Sequence, residues 1–179
     1  MCIIKIFKQG LLKPEEVDYL WEQNPDGGGI GLINKKLNLE IPVKTNNLEK
    51  FKTVLFKHLE KAQFETLVFH LRKRSRGSFD NININPIFIN KSTVMFHNGT
   101  FDEFNNNFYS DTFLFVFNII QKINNFDIEN KTHIDQIKSF MSDNLSRVVF
   151  LQEGKPEPLI IDNFEKGYWN IGGEQWSSK

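Results

Sequence analysis

The chain has 179 residues, with 22 Lys plus Arg against 22 Asp plus Glu and a formal net charge of +0, so it is not, as a whole, an electrostatic binder of nucleic acid or of a membrane surface. Hydrophobic residues make up 40% and charged residues 25%, the make-up of a globular chain long enough to bury a substantial core. A single cysteine excludes an intramolecular disulfide, and the chain opens on an apolar strand without a charged leader, which together predict a reducing, cytoplasmic setting.

The elements alternate along the chain. Ile3-Ile4-Lys5-Ile6-Phe7 is apolar except at Lys5 and predicts a buried strand. Pro14 to Trp21 predicts a short helix, with Pro in its first turn and Glu15 and Glu16 near its positive end. Asn24-Pro25-Asp26-Gly27-Gly28-Gly29 reads as a turn. Ile30 to Ile33 reads as a strand, and the alternating stretch from Leu37 to Val43 as its hairpin partner. Asn47 to Ala62 is amphipathic, with Leu48, Phe51, Leu55 and Leu59 on one face. Phe64 to Leu71 is a strand. A long polar loop, Arg72 to Asn85, follows, and such a loop inside a compact domain is usually functional or mobile. Pro86 to Ile89 and Thr93 to His97 form a strand pair. Asp111 to Ile123 and His133 to Leu145 are helical, the first apolar enough to be buried. Its stretch from Phe113 to Ile120 is too short to span a bilayer, so no membrane segment is expected. Arg147 to Gln152 and Leu159 to Asp162 predict another hairpin, and Tyr168 to Trp176 a last strand. No linker or repeat divides the chain, which predicts one domain over residues 1–179. Strands and helices each come in pairs, the pattern of an α+β layered sandwich rather than of a parallel βαβ fold.

Four polar islands punctuate these elements. Cys2 becomes the N-terminal residue if Met1 is removed. A thiol of pKa about 8.5 and an α-amine of about 7.7–8.0 then share one residue, a nucleophile with its own general base. The bland alternative is a small buried hydrophobe. Asp26 with its three glycines is either a hairpin turn or a place of close backbone approach. Arg72, just after a buried strand, can hold a carboxylate bidentately, whereas the run Arg72-Lys73-Arg74-Ser75-Arg76 also reads as a solvated basic loop or a short nucleic-acid patch. Asn98-Gly99 after an apolar strand offers a side-chain amide and a backbone N–H to one point, which suits an oxyanion, but Asn-Gly is also the favoured hairpin turn. The scattered histidines have no ligand spacing, so no metal site is expected, and His70 and His97 read as structural.

Taken together and in order, these islands resemble the glutaminase domains of class II glutamine amidotransferases, a branch of the N-terminal-nucleophile hydrolases. The motifs stand here as Met1-Cys2, Pro25-Asp26-Gly27-Gly28-Gly29, His70-Leu71-Arg72-Lys73-Arg74-Ser75-Arg76-Gly77, Asn83-Ile84-Asn85-Pro86, His97-Asn98-Gly99 and Ser110-Asp111-Thr112. The resemblance covers residues 2 to about 123. It implies a four-layer αββα sandwich of two antiparallel sheets flanked by helices. It further implies Cys2 as nucleophile, Asn98 and the Gly99 N–H as oxyanion donors, Arg72 and Ser75 at a substrate α-carboxylate, and Asp111 at its α-ammonium. The substrate it implies is glutamine or a similar small molecule, with no metal or organic cofactor, and either a synthase or other protein acting in trans takes the ammonia or the chain is a stand-alone amidase. Nucleic acid is not an expected partner. Lys73, Arg74 and Arg76 depart from the aromatic or small residues usual in the family, and Asn85 stands where His is common. A different γ-glutamyl or small amide substrate, or a binding module that keeps the fold without the chemistry, therefore stays open.

Overall fold

The computed structural model describes residues 2–8, 12–141, 146–162, 167–169 and 175–178, with side chains given up to residue 162. Two antiparallel sheets lie face to face. One has six strands in the order β3-β2-β4-β1-β10-β9, and the other four in the order β5-β6-β7-β8. The strands are β1 Ile3–Phe7, β2 Gly28–Asn34, β3 Leu39–Thr45, β4 Phe64–Leu71, β5 Ile87–Asn90, β6 Thr93–Asn98, β7 Arg147–Gln152, β8 Leu159–Asp162, β9 Gly167–Trp169 and β10 Gln175–Ser178. Helices α1 (Pro14–Gln23) and α2 (Leu48–Lys61) cover the outer face of the first sheet, and α3 (Asp111–Asn118) and α4 (Lys131–Met141) that of the second. The result is the expected four-layer αββα sandwich.

Strand alternation builds the layers. In β1, Ile4 and Ile6 point into the gap between the sheets, where they meet Val94, Phe96, Val149 and Leu151. Phe7 points the other way, onto the α1/α2 layer. Lys5 also lies on that outer face and pairs with Glu16 of α1. In β4, Val68 faces the gap while Leu67, Phe69 and Leu71 face the helices. Helix α2 presents Phe51, Leu55 and Leu59 at helical spacing, and all three are buried. Withdrawing a Phe such as Phe51 from water contributes about 1.5–3 kcal/mol. The Asn47 side chain starts α2 by accepting from the Lys50 N–H at 2.8 Å.

Several boundaries differ from the expectations, three of them for a clear local reason. The glycine turn is shorter than expected, because β2 begins at Gly28. A Cβ on Gly29 would lie 1.9 Å from the Asn85 carbonyl oxygen, so this glycine serves close approach of a neighbouring segment rather than a bend. The hairpin partner β3 starts at Leu39, because Leu37 takes a positive φ of 63° within a turn organised by Asn34, whose Oδ1 accepts from the Lys36 and Asn38 N–H groups. The apolar helix from Asp111 stops at Asn118 and tightens into a 3₁₀ turn, Ile120–Lys122, as the run passes from Asn into β-branched Ile119 and Ile120. The expected last strand is two strands, β9 and β10. Residues 142–145, expected as the end of a helix, and residues 170–174 lie outside the described residues.

Candidate active site

Antiparallel pairing of β1 with β4 sets Ile3 opposite Leu71, so Cys2 and Arg72 emerge side by side at one end of the first sheet. Cys2 Sγ lies 3.4 Å from the Lys73 N–H, which donates to it, and 3.5 Å from the Lys73 carbonyl. Cys2 is partly exposed. Burial pushes the thiol up, opposed by the Lys73 N–H and the nearby Arg72 cation. The Asp26 turn braces this corner. Arg72 N–H donates to Gly27 O at 2.7 Å, Asp26 N–H to Arg72 O at 3.1 Å, and Arg74 N–H to Asp26 Oδ2 at 2.7 Å. Asp26 is therefore a turn residue, as expected.

Arg72 is only 4% exposed. Its Nη1 donates to Ser78 O at 2.9 Å and its Nη2 to Arg76 O at 2.7 Å. Those bonds use two of the five guanidinium N–H groups, and among the described residues Arg72 forms no ion pair. Asp111 opens α3, where the helix dipole favours a carboxylate, and is 5% exposed. Its Oδ2 accepts from the Phe101 N–H at 2.8 Å and its Oδ1 from the Thr112 N–H at 2.9 Å, again with no ion pair among the described residues. Cys2, Arg72, Ser75, Gly99 and Asp111 all border one cavity of about 20 Å³, about the space of one water molecule. Asn98 ends β6 beside Gly99 and is 1% exposed, but it is not among the residues bordering that cavity. Gly99 has φ of 142°, a backbone setting that L side chains rarely adopt.

Two buried histidines flank the site. His97 Nδ1 pairs with Thr112 Oγ1 at 2.8 Å and Nε2 with Ser146 Oγ at 3.1 Å, and its ring stacks on Phe101 at 4.2 Å. Burial lowers its pKa to about 4. His70 lies 3.5 Å from the Asn85 amide, and burial, with the neighbouring His97 and Arg72, lowers its pKa to about 3. Both rings are neutral at pH 7 and act as spacers and hydrogen-bonding parts of the wall. Asn85 also borders the cavity, and its Oδ1 is buried without a hydrogen-bond partner.

The basic loop divides. Lys73 and Arg74 face solvent, with Arg74 lying 3.9 Å above the Phe79 ring. Arg76 is instead a clasp, donating to Phe101 O at 3.1 Å and Phe104 O at 2.6 Å and pairing with Asp102 at 3.0 Å. Sequence reasoning quoted Asn83 and Ser110 as motif residues without assigning them work. Asn83 ties the loop to α3: its Oδ1 accepts from the Ser110 N–H at 2.6 Å, and its Nδ2 donates to Ser78 Oγ at 3.0 Å and Phe108 O at 2.7 Å.

Two facing antiparallel sheets sheathed by helices are the layering of this chain, and it shares that fold with solved amidotransferase structures. It superposes on a glutamine phosphoribosylpyrophosphate amidotransferase from B. subtilis complexed with ADP and GMP, with TM-score 0.58 and 16% identity over 99% of this chain. It superposes equally on an allosteric regulatory enzyme of purine biosynthesis, with TM-score 0.59 and 17% identity over 99% of this chain. The chain spans 41% of the length of each. No protein-family model and no curated protein matches the sequence. Among the described residues no helix is long and apolar enough to cross a membrane.

Proposed function

We propose that this chain is a cysteine-dependent amidohydrolase that releases ammonia from glutamine or a closely similar amide. The observation that carries this reading is charge placement. A buried guanidinium and a buried carboxylate border the same small cavity as the Cys2 thiol, each without an ion-pair partner among the described residues. Opposite charges held apart around a space complement a ligand that carries both, such as the α-carboxylate and α-ammonium of an amino acid.

In this reading Met1 is removed and the Cys2 α-amine becomes the base. Sγ attacks the side-chain amide carbon as its proton passes to the amine. The tetrahedral oxyanion takes hydrogen bonds from the Gly99 N–H and the Asn98 amide. Collapse breaks the C–N bond, the amine returns the proton to the leaving nitrogen, and ammonia departs from a thioester on Cys2. Water then attacks the thioester, yielding the acid and the free thiol. Arg72 and Ser75 hold the α-carboxylate and Asp111 the α-ammonium. A cavity of about 20 Å³ is smaller than glutamine, so the Arg72–Asn85 loop has to yield as substrate enters. Neither a metal nor an organic cofactor has a part in these steps. The ammonia then passes to an acceptor protein or, from a stand-alone amidase, into solution.

The test is incubation of purified protein with L-glutamine, with ammonia measured and the N-terminus read by intact mass. Ammonia release that requires a free Cys2 terminus is the expected result. Full activity in material that retains Met1 would overturn the role of the α-amine. Inertness toward glutamine with turnover of other γ-glutamyl amides would move the substrate, to which the departures at Lys73, Arg74 and Asn85 already point. Inertness toward all of them would leave a binding module.

A further inference from the structure

At the far end of the β2–β4 ladder from Cys2 lies a cleft of about 690 Å³, bounded by the β2–β3 turn and the last turns of α2. The ladder runs from Gly28 opposite Leu71, beside Cys2, to Asn34 opposite Phe64, beside the cleft. At about 3.3 Å per residue this places the two sites about 20 Å apart. The volume falls within the range of small-molecule sites.

The cleft is cationic beyond what its own acids offset. Lys35, Lys36, Lys57 and Lys61 border it, with His58. Lys35 pairs with Glu65 at 3.1 Å. The one carboxylate bordering the cleft, Glu40, accepts from the Asn34 amide at 2.6 Å. Among the described residues Lys36, Lys57 and Lys61 form no ion pair. Lys57 and Lys61 lie four residues apart on one helix face, where like charges repel. The negative end of α2 offsets part of that repulsion, but it serves α2 alone and not Lys36, which arrives from the other wall. Burial lowers the His58 pKa, opposed by Glu40 and helped by the smaller effects of Lys57 and Lys61. The wall that carries Lys36 is fixed in place, because Asn34 Oδ1 accepts from two turn N–H groups and Gly154 N–H donates to Leu37 O at 2.8 Å. The amides of Asn34, Asn38 and Gln63 add neutral donors at the edge.

We infer that this cleft is a binding site for a small phosphorylated polyanion, of the diphosphate kind, converged on by Lys36, Lys57 and Lys61. The cations are all ammonium groups, point charges with rotatable donors. They suit a compact group of several negative oxygens better than the planar fork that a guanidinium offers to a single carboxylate. One phosphate would leave part of the charge unmatched, whereas a diphosphate offsets all three lysines. The site is separate from the Cys2 cavity, and its ligand is not a participant in the amide chemistry.

The test uses the intact chain and inorganic pyrophosphate, titrated by amide NMR and by calorimetry at low and at high NaCl. Saturable shifts confined to residues 34–40 and 57–63 are expected, weakening as salt rises. The triple variant Lys36→Gln, Lys57→Gln, Lys61→Gln should bind at least about tenfold more weakly while its melting temperature and its Cys2-dependent activity stay unchanged, since each exposed contact is worth a modest factor and three combine. Lys13→Gln, a cation away from the cleft, serves as the control and should bind as the parent does. Shifts scattered over all surface lysines, unchanged binding by the triple variant, or no saturation in the millimolar range would overturn the site. So would tighter capture of a single-stranded RNA than of pyrophosphate by the same face. An unsubstituted chain that binds pyrophosphate at this face but is inert toward glutamine would count against the Cys2 reading and not against the cleft.

Discussion

Arg72 and Asp111 are opposite charges withdrawn from water at one cavity and yet not joined to each other. Burying either alone is costly, and in the proposed reading both are kept apart to meet the two charges of an amino-acid substrate. Asp111→Asn should therefore raise KM for glutamine by about 10- to 100-fold, the worth of one charged hydrogen bond, while Arg74→Ala changes it little. Steady-state kinetics on the two variants decide it, and equal effects would place the substrate elsewhere. Asn98→Ala should lower kcat by about 10²–10³ with the fold intact, because one oxyanion donor typically carries that much. Parent-like turnover would reduce Asn98 to a strand-end residue. Among single residues, Cys2 and Arg72 stood out as chemically distinctive groups next to an apolar run, whereas Asp111 entered only through the resemblance of its Ser110-Asp111-Thr112 motif. The role of Asn83 was not legible, because its work is holding the 72–85 loop to α3, and no spacing rule announces a contact across 27 residues.

Helices and strands carry a different kind of information. The positions of α1, α2 and the first sheet follow from periodicity, since Val17 and Trp21, and Phe51, Leu55 and Leu59, recur on one face. The start of β2 did not follow from it. Three successive glycines look like a bend, and only the tertiary approach of Asn85 shows that Gly29 belongs to a strand. Gly29→Ala is expected to destabilise the protein by about 1–3 kcal/mol, since a Cβ there meets backbone rather than a flexible side-chain end. Urea denaturation with parallel measurement of activity checks this. An unchanged midpoint would mean that the Asn85–Pro86 segment gives way freely. The division of the apolar stretch after Asp111 was equally hidden. Phe117 is 53% exposed, so the hydrophobic count overstated how much of that helix the core takes up.

For the molecule as a whole, the buried histidines set the acid limit. His97 and His70 have folded pKa values lowered to about 4 and about 3, below the usual 6.5, so the unfolded chain binds more protons than the native one in between. Stability from these two groups is complete above about pH 6.5 and falls as the solution is acidified toward pH 4 and below. By pH 4 each has removed on the order of 2–3 kcal/mol. Thermal melts from pH 7 to pH 4 should show a steep decline that flattens in a variant with His97→Gln. The same decline in both would assign acid sensitivity to carboxylates instead. The layered architecture was open to sequence reasoning because strand pairs and helix pairs alternate. The six-strand width of the first sheet was not, because β9 and β10 join it from the other end of the chain.

That last pairing has a consequence in time. β1 sits between β4 and β10, with Lys5 opposite Ser177, so the first strand synthesised has a partner among the last. While the chain is still on the ribosome, β1 has at most one neighbour and its other edge is open. The strand that follows Cys2 is the one whose surroundings are finished last. Such long-range closure makes for slow folding and leaves an exposed edge in the interim, a period in which a shortened chain would pair with its neighbours rather than with itself.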